Sequence, residues 1–160
     1  MSSFNRRFAL LGLISATAAC QFRPVHGPGG SGEVLRNRIQ VAEPNSRLDF
    51  ELVARLEDRL GTGSEYLLDY TLTLAGDAIA IDGAENINRI NIIGTLAFAV
   101  RNAATGAVVQ QDSVNTFTAY ATTGTPVATV SARRDAEDRL MVALADQLVT
   151  RLIAGAPTWT

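Results

Sequence analysis

The feature that most constrains the fold is a long stretch near the C-terminus that favours a single helix. Thr125-Pro126 matches an N-cap residue followed by Pro at the first helical position, where the missing N–H of Pro costs nothing. From there to Ala154 the chain contains no Gly and no further Pro. Apolar residues recur at helical spacing at Ala136, Leu140, Leu144, Leu148 and Leu152, supported by Met141, Val149 and Ile153. We predict one long helix that buries this stripe against another layer.

A second, shorter helix is predicted after Ser46. Ser46 fits an N-cap, and Asp49 falls at the third helical position, where its charge faces the positive end of the helix dipole. Gly61 is placed to end the helix. The buried stripe of this helix is predicted to be Leu48, Leu52, Leu56 and Leu60, with Val53 beside them.

Four segments are predicted as β-strands, over residues 38–42, 66–75, 87–101 and 108–118. The second has the clearest two-residue alternation, with Tyr66, Leu68, Tyr70, Leu72 and Leu74 on one face and Asp69, Thr71 and Thr73 on the other. Such a strand has one buried and one exposed face.

Glycines suggest where these strands end or change direction. Gly76, Asp77 and Gly83 predict a link after the second strand, and Gly94 predicts a bend within the third. Gly106 suits the positive φ of a turn that joins the third and fourth strands as a hairpin.

The predicted fold class is α+β, with two helices packed on one face of a small four-stranded sheet in the order β-α-β-β-β-α. A chain of 160 residues that is 47% hydrophobic suits one core rather than two. We therefore expect a single domain over residues 34–155.

The first nineteen residues have the layout of a secretory signal. Arg6 and Arg7 precede a short apolar run, and the small residues Ala18 and Ala19 precede Cys20, the only Cys in the chain. This arrangement resembles the bacterial lipobox, which implies that Cys20 is lipidated and becomes the mature N-terminus. Residues 20–33 are then expected to form a tether rich in Gly and Pro. Gln21 favours an outer-membrane destination, because Asp at that position is the usual signal for retention in the inner membrane.

Two alternatives for this N-terminal segment remain open. The segment could be an ordinary signal peptide with an incidental Cys. The residues Asn5-Arg6-Arg7-Phe8 also faintly resemble a twin-arginine signal, so the export route is open as well.

The sequence contains no arrangement of residues typical of an enzyme. Its only His, His26, lies in the tether, which argues against a Ser-His-Asp or Cys-His site. No phosphate-binding loop or metal-spaced His cluster is present, and a formal net charge of −2 argues against nucleic acid as a partner. We expect a protein without catalytic activity, cofactor or metal.

Two short motifs carry a resemblance to a known family. One is Phe22-Arg23-Pro24-Val25-His26-Gly27, directly after the lipobox. The other is Phe117-Thr118-Ala119-Tyr120, which leads into a helix containing Ser131-Ala132 and Asp135-Ala136. Together with the order of elements, these motifs resemble the LptE family of lipopolysaccharide (LPS) assembly lipoproteins, in its alphaproteobacterial form.

The resemblance implies a function and a set of candidate residues. It implies an outer-membrane lipoprotein that binds an LptD-like β-barrel and supports the insertion of LPS. Its basic residues on the sheet and near the second helix would contact LPS, and the matching positions are Arg89, Arg101, Arg133 and Arg134. The competing interpretation is an accessory lipoprotein of an ABC-type lipid transporter. A small secreted hydrolase is a third, disfavoured by the absence of His from the predicted domain.

Overall fold

The computed structural model describes Gly27, residues 30–81 and residues 87–160. The predicted signal peptide, Cys20 and most of the tether lie outside these residues. Within them the chain forms, in order, α1 (Ser31–Leu35), β1 (Ile39–Val41), α2 (Arg47–Leu60), β2 (Tyr66–Ile81), β3 (Ile87–Asn102), β4 (Val108–Ala121), α3 (Pro126–Gly155) and a 3₁₀ turn (Ala156–Thr158).

Both long helices begin at the predicted caps. The backbone N–H of Asp49 donates to the Ser46 hydroxyl at 3.2 Å, and that of Ala128 donates to the Thr125 hydroxyl at 3.3 Å. Gly61 follows α2 with a φ of 70°, a left-handed conformation that favours Gly. The predicted start and end signals are therefore confirmed.

The apolar stripe of α3 forms the centre of the hydrophobic core. Leu140, Leu144, Leu148 and Leu152 are all fully buried, and α3 packs against β4, α2 and β3. By length and composition this helix, with the turn that follows, could cross a membrane. Its four Leu side chains and Met141 are nevertheless fully buried, as expected for the central helix of a globular domain.

The strands form one mixed sheet in the order β1-β2-β3-β4. β1 runs parallel to β2, with Ile39 opposite Tyr66, whereas β2, β3 and β4 form an antiparallel meander. α2 supplies the crossover connection that the parallel pair requires. The predicted α+β fold is thus confirmed, with the short helix α1 as an addition that the sequence did not predict.

The predicted link after the second strand is wrong in part. β2 continues through Gly76, which pairs with Ile92, and Asp77, which pairs with Asn91, as far as Ile81. Gly and Asp are poor strand formers, but the neighbouring strand satisfies their backbone groups and outweighs that local preference.

Gly94 is explained by close packing. It stays in register between Leu74 of β2 and Thr116 of β4, where a bend was predicted. A Cβ at this position would lie 2.8 Å from a methyl carbon of Leu144 and 3.2 Å from one of Leu140. The missing side chain therefore lets α3 approach β3 closely.

The second face of the sheet, which we call the open face, is not covered by any element of the described chain. Ile93 and Phe117 form an exposed cross-strand pair on it. Small polar and apolar residues surround this pair, namely Thr71, Thr73, Thr95, Ala97, Ser113 and Asn115. The two faces of the sheet thus differ sharply in burial.

Candidate functional site

The two long helices run parallel and leave one end of the sheet partly uncovered. Arg47, at the start of α2, donates to Glu137 and Asp138 of α3, and Arg55, two turns later, donates to Asp146. α3 therefore begins about eleven residues, or roughly 16 Å, before the start of α2. Along that length, no other helix of the described chain lies beside α3.

A groove of about 430 Å³ occupies this gap, and we call it the distal groove. Its wall is formed by Arg133 and Glu137 of α3. Its floor consists of strand residues, namely Leu74, Ala75, Gly76, Asp77, Ala78, Ile90, Ile92 and Tyr120. The groove thus combines a floor that is largely apolar apart from Asp77 with two ionised groups, Arg133 and Glu137, on one side.

Glu137 links the two helices at the inner end of the groove. It is the one buried charged residue of the described chain. Its carboxylate accepts hydrogen bonds from Arg47 and Arg133, each at 2.8 Å. The hydrogen bond to Glu137 is the main cause of the raised pKa of Arg133. The carboxylate is therefore compensated by two guanidinium groups, as a buried charge requires.

Replacing Glu137 with Ala should lower the free energy of unfolding by about 1 to 3 kcal/mol, because two hydrogen bonds to charged groups are lost. Both arginines are near the surface and can be solvated again, which limits the cost. Urea denaturation would measure the change. Asp135→Ala is the control, since Asp135 pairs only with Arg139 on the exposed side of α3 and should cost less than about 1 kcal/mol. Equal losses in the two variants would contradict the structural role of Glu137.

The four arginines predicted to contact LPS are not brought together. Arg89 and Arg101 lie on the open face of β3, twelve residues or roughly 40 Å apart. Arg101 donates to Asp69 at 3.0 Å. Arg133 and Arg134 are adjacent on α3; Arg133 lines the distal groove, whereas Arg134 is exposed and is not one of its lining residues. Arg89 is near the same end of the sheet but on its opposite face, where it pairs with Ala121.

These arginines also differ in whether they form an ion pair with a carboxylate of the domain. Arg101 and Arg133 have ion-pair partners in Asp69 and Glu137. Arg89 and Arg134 are exposed and have no ion pair within residues 30–81 and 87–160. Arg89 and Arg134 are therefore the better candidates for binding an anion.

A second groove, of about 460 Å³, lies between β4 and the later part of α3. It is lined by polar residues that include Asn115, Asp146 and Arg151. Asp146 already accepts from Arg55, and Arg151 lies 3.8 Å from Asp112. Its charged groups are thus paired within the domain, which makes it a weaker candidate than the distal groove.

Sequence reasoning missed the distal groove for two reasons. Leu74 and Ile90 follow the same alternation as fully buried neighbours, so no local signal separates them. Gly76 and Asp77 were predicted as a link, and Tyr120 lies beyond the predicted end of the fourth strand. In the described part of the chain, His, Cys, Asp and Glu side chains do not form a group of three that could hold a metal ion.

The fold and the groove define a class of protein: a small α+β domain, with two parallel helices on a mixed sheet and a groove with a largely apolar floor at one end. Residues 36–152 match the LptE lipopolysaccharide-assembly family, and the chain therefore belongs to that family. The family consists of non-enzymatic accessory lipoproteins. No curated protein sequence matches the chain significantly.

Solved structures share the fold. A protein from Caulobacter crescentus CB15 is 20% identical with a TM-score of 0.65, covering 82% of this chain and 98% of that one. Rare lipoprotein B from Shewanella oneidensis is 15% identical with a TM-score of 0.56, covering 75% and 94%. A minor lipoprotein from Acinetobacter baumannii is 13% identical with a TM-score of 0.55, covering 75% and 91%. At these identities the similarity concerns the fold alone.

Proposed function

We propose that this protein is a lipoprotein of the outer membrane that associates with an LptD-like β-barrel and supports the insertion of LPS. The observation that carries the proposal is the family match, which spans all four strands, α2 and nearly all of α3. The lipobox-like segment before Cys20 supports the anchor, with residues 1–19 as the signal peptide, 20–33 as the tether and 34–155 as the domain.

The arrangement of the domain suits a protein anchored at one end and active at the other. α1, which directly follows the proposed tether, packs against the C-terminal end of α3. The distal groove lies near the opposite end of α3, roughly 35 Å away over the 23 residues from Arg133 to Ala156. A lipid at Cys20 would thus leave the groove facing away from the anchor.

Contact with LPS is assigned to the arginines at this distal end. Lipid A is a phosphorylated, acylated disaccharide, and guanidinium groups bind phosphate oxygens in a bidentate way. At that end, Arg134 and Arg89 have no ion pair within the described residues. Arg133 could bind a ligand while it remains paired with Glu137. Arg101 lies far from them and is paired with Asp69, so we expect it to contribute least.

The test measures LPS binding and co-purification with the barrel protein in the same variants. Arg133→Glu with Arg134→Glu, and separately Arg89→Glu, should weaken LPS binding about tenfold or more, because an attractive charge becomes a repulsive one. The circular dichroism spectrum and barrel association should be unchanged. Arg36→Glu is the control, since Arg36 is exposed near the anchored end.

Three outcomes would revise the proposal. Unchanged LPS binding in every variant would remove these arginines from it. Loss of barrel association would place them in the protein interface. Co-purification with an inner-membrane ABC-type ATPase and no barrel would favour the competing lipid-transport function.

A further inference from the structure

We infer that the distal groove binds a hydrocarbon chain of the glycolipid, with its phosphates held by Arg133 at the groove wall and by the adjacent exposed residue Arg134. The inference rests on the proposed function and adds to it a site for the acyl part of the ligand. It also gives the two faces of the sheet different roles, since the groove lies on the helix-covered face, where its floor is next to Arg133.

The floor of the groove is apolar surface that residues 30–81 and 87–160 leave partly unpacked. On the same face of the sheet, Leu68, Leu96 and Val100 are fully buried under the helices, whereas Leu74 is 37% exposed. Ile90 and Tyr120 are half-buried. Residues on the core face of a strand are normally removed from water, so this floor could bury further apolar surface favourably.

The first turns of α3 extend the apolar surface beyond the floor. Val130 is 53% exposed and lies three residues before Arg133 and seven before Glu137, on the same side of the helix. Val127, one turn earlier, is also exposed. An apolar surface with cations beside it complements an acyl chain that is attached to a phosphorylated headgroup.

The charges at the wall of the groove favour an anionic lipid over a neutral one. Asp77 of the floor does not oppose this, because it pairs with Asn91, which lies between Ile90 and Ile92 of the core face, and its carboxylate therefore belongs to the open face. The carboxylate of Glu137 is already bound by Arg47 and Arg133, so it does not present a free negative charge to the groove. Arg134, next to Arg133, has no ion pair in the described chain. The proposed tether enters at the other end of α3, so it would have to run back along the domain to occupy the groove.

The test compares intact LPS with fully deacylated LPS, which keeps the phosphates but lacks the acyl chains. Wild-type protein should bind the deacylated form at least about tenfold more weakly, because the apolar contact is lost. Leu74→Gln, which adds no charge, should weaken binding of intact LPS by a similar factor and leave binding of the deacylated form unchanged. Ile93→Gln is the matched control: Ile93 is 39% exposed, lies on the open face and should not affect either ligand.

Equal affinity of the wild-type protein for intact and deacylated LPS would overturn the inference without any need for a variant. The proposed arginine contacts would not be contradicted by this result, because the charge-reversal variants test them separately. Equal weakening by Leu74→Gln and Ile93→Gln would also overturn the inference. Equally tight binding of phosphatidylglycerol vesicles would do the same, because it would show a general affinity for anionic lipids. If the wild-type protein bound no LPS, the inference and the proposed LPS contact would both fail, whereas barrel association could still be observed.

Discussion

Leu144→Ala should lower the free energy of unfolding by about 2 to 5 kcal/mol, the usual range for a Leu-to-Ala change in a well-packed core. Leu144 is fully buried, and its side chain lies directly over Gly94 of β3. Gly94 has no side chain that could move into the space, so the cavity would stay open. Urea or thermal denaturation of the soluble domain would measure the loss.

Val142→Ala on the same helix is the control for this prediction. Val142 is 41% exposed, and Ala has the higher helix propensity, so the change should stay within about 0.5 kcal/mol. Leu56→Ala on α2 should behave like Leu144→Ala, because Leu56 is also fully buried. Wild-type stability in both Leu variants would mean that the two helices do not share one core with the sheet.

Cys20→Ala should abolish acylation and release the protein from the membrane fraction. The thiol of Cys20 is the proposed attachment point of the lipid, and no other Cys in the chain could replace it. Each buried CH₂ of an acyl chain contributes about 0.8 kcal/mol to membrane binding, so loss of the chains removes the main anchoring energy. Labelling with a palmitate analogue, membrane fractionation and the mass of the mature N-terminus would measure the effect.

Val25→Ala, in the proposed tether, should keep both the label and the membrane association. A Cys20→Ala variant that still incorporates the palmitate analogue would disprove lipidation at this residue. A wild-type mature protein that begins at a residue other than Cys20 would do the same. Either result would support the alternative of an ordinary signal peptide with an incidental Cys.

The helix boundaries could be predicted because helix capping is local. Ser46 and Thr125 each bond to an N–H three residues ahead, and Gly61 adopts its left-handed φ within one residue of the end of α2. The faces of the strands were predictable for the same reason, because alternate residues point to opposite sides of the sheet. The alternation in β2 therefore separated Leu68 from Asp69 correctly.

The extent of β2 was not predictable in this way. Gly76 and Asp77 disfavour a strand when considered alone, yet both are paired with β3. The energy that keeps them extended comes from backbone hydrogen bonds to residues fourteen to sixteen positions away, which local propensity does not include.

The ion pairs of Glu137 also include one contact that sequence spacing predicts and one that it does not. The pair of Arg133 with Glu137 joins residues four positions apart on one helix and is the kind of contact that spacing predicts. The second partner of Glu137 is Arg47, ninety positions away. This contact makes Glu137 a link between helices, and it became visible only in the tertiary structure.

The sequence by itself therefore determined the two long helices with their starts and ends, the central part of each strand, and which side chains of these elements are apolar. Those properties depend on residues within a few positions of one another. The tertiary structure alone decided that α3 starts about eleven residues before α2 and that Leu74, Ile90 and Tyr120 consequently form the floor of a groove. Whether an apolar face is covered depends on the relative placement of elements far apart in the chain, and the periodicity of a single element carries no information about that placement.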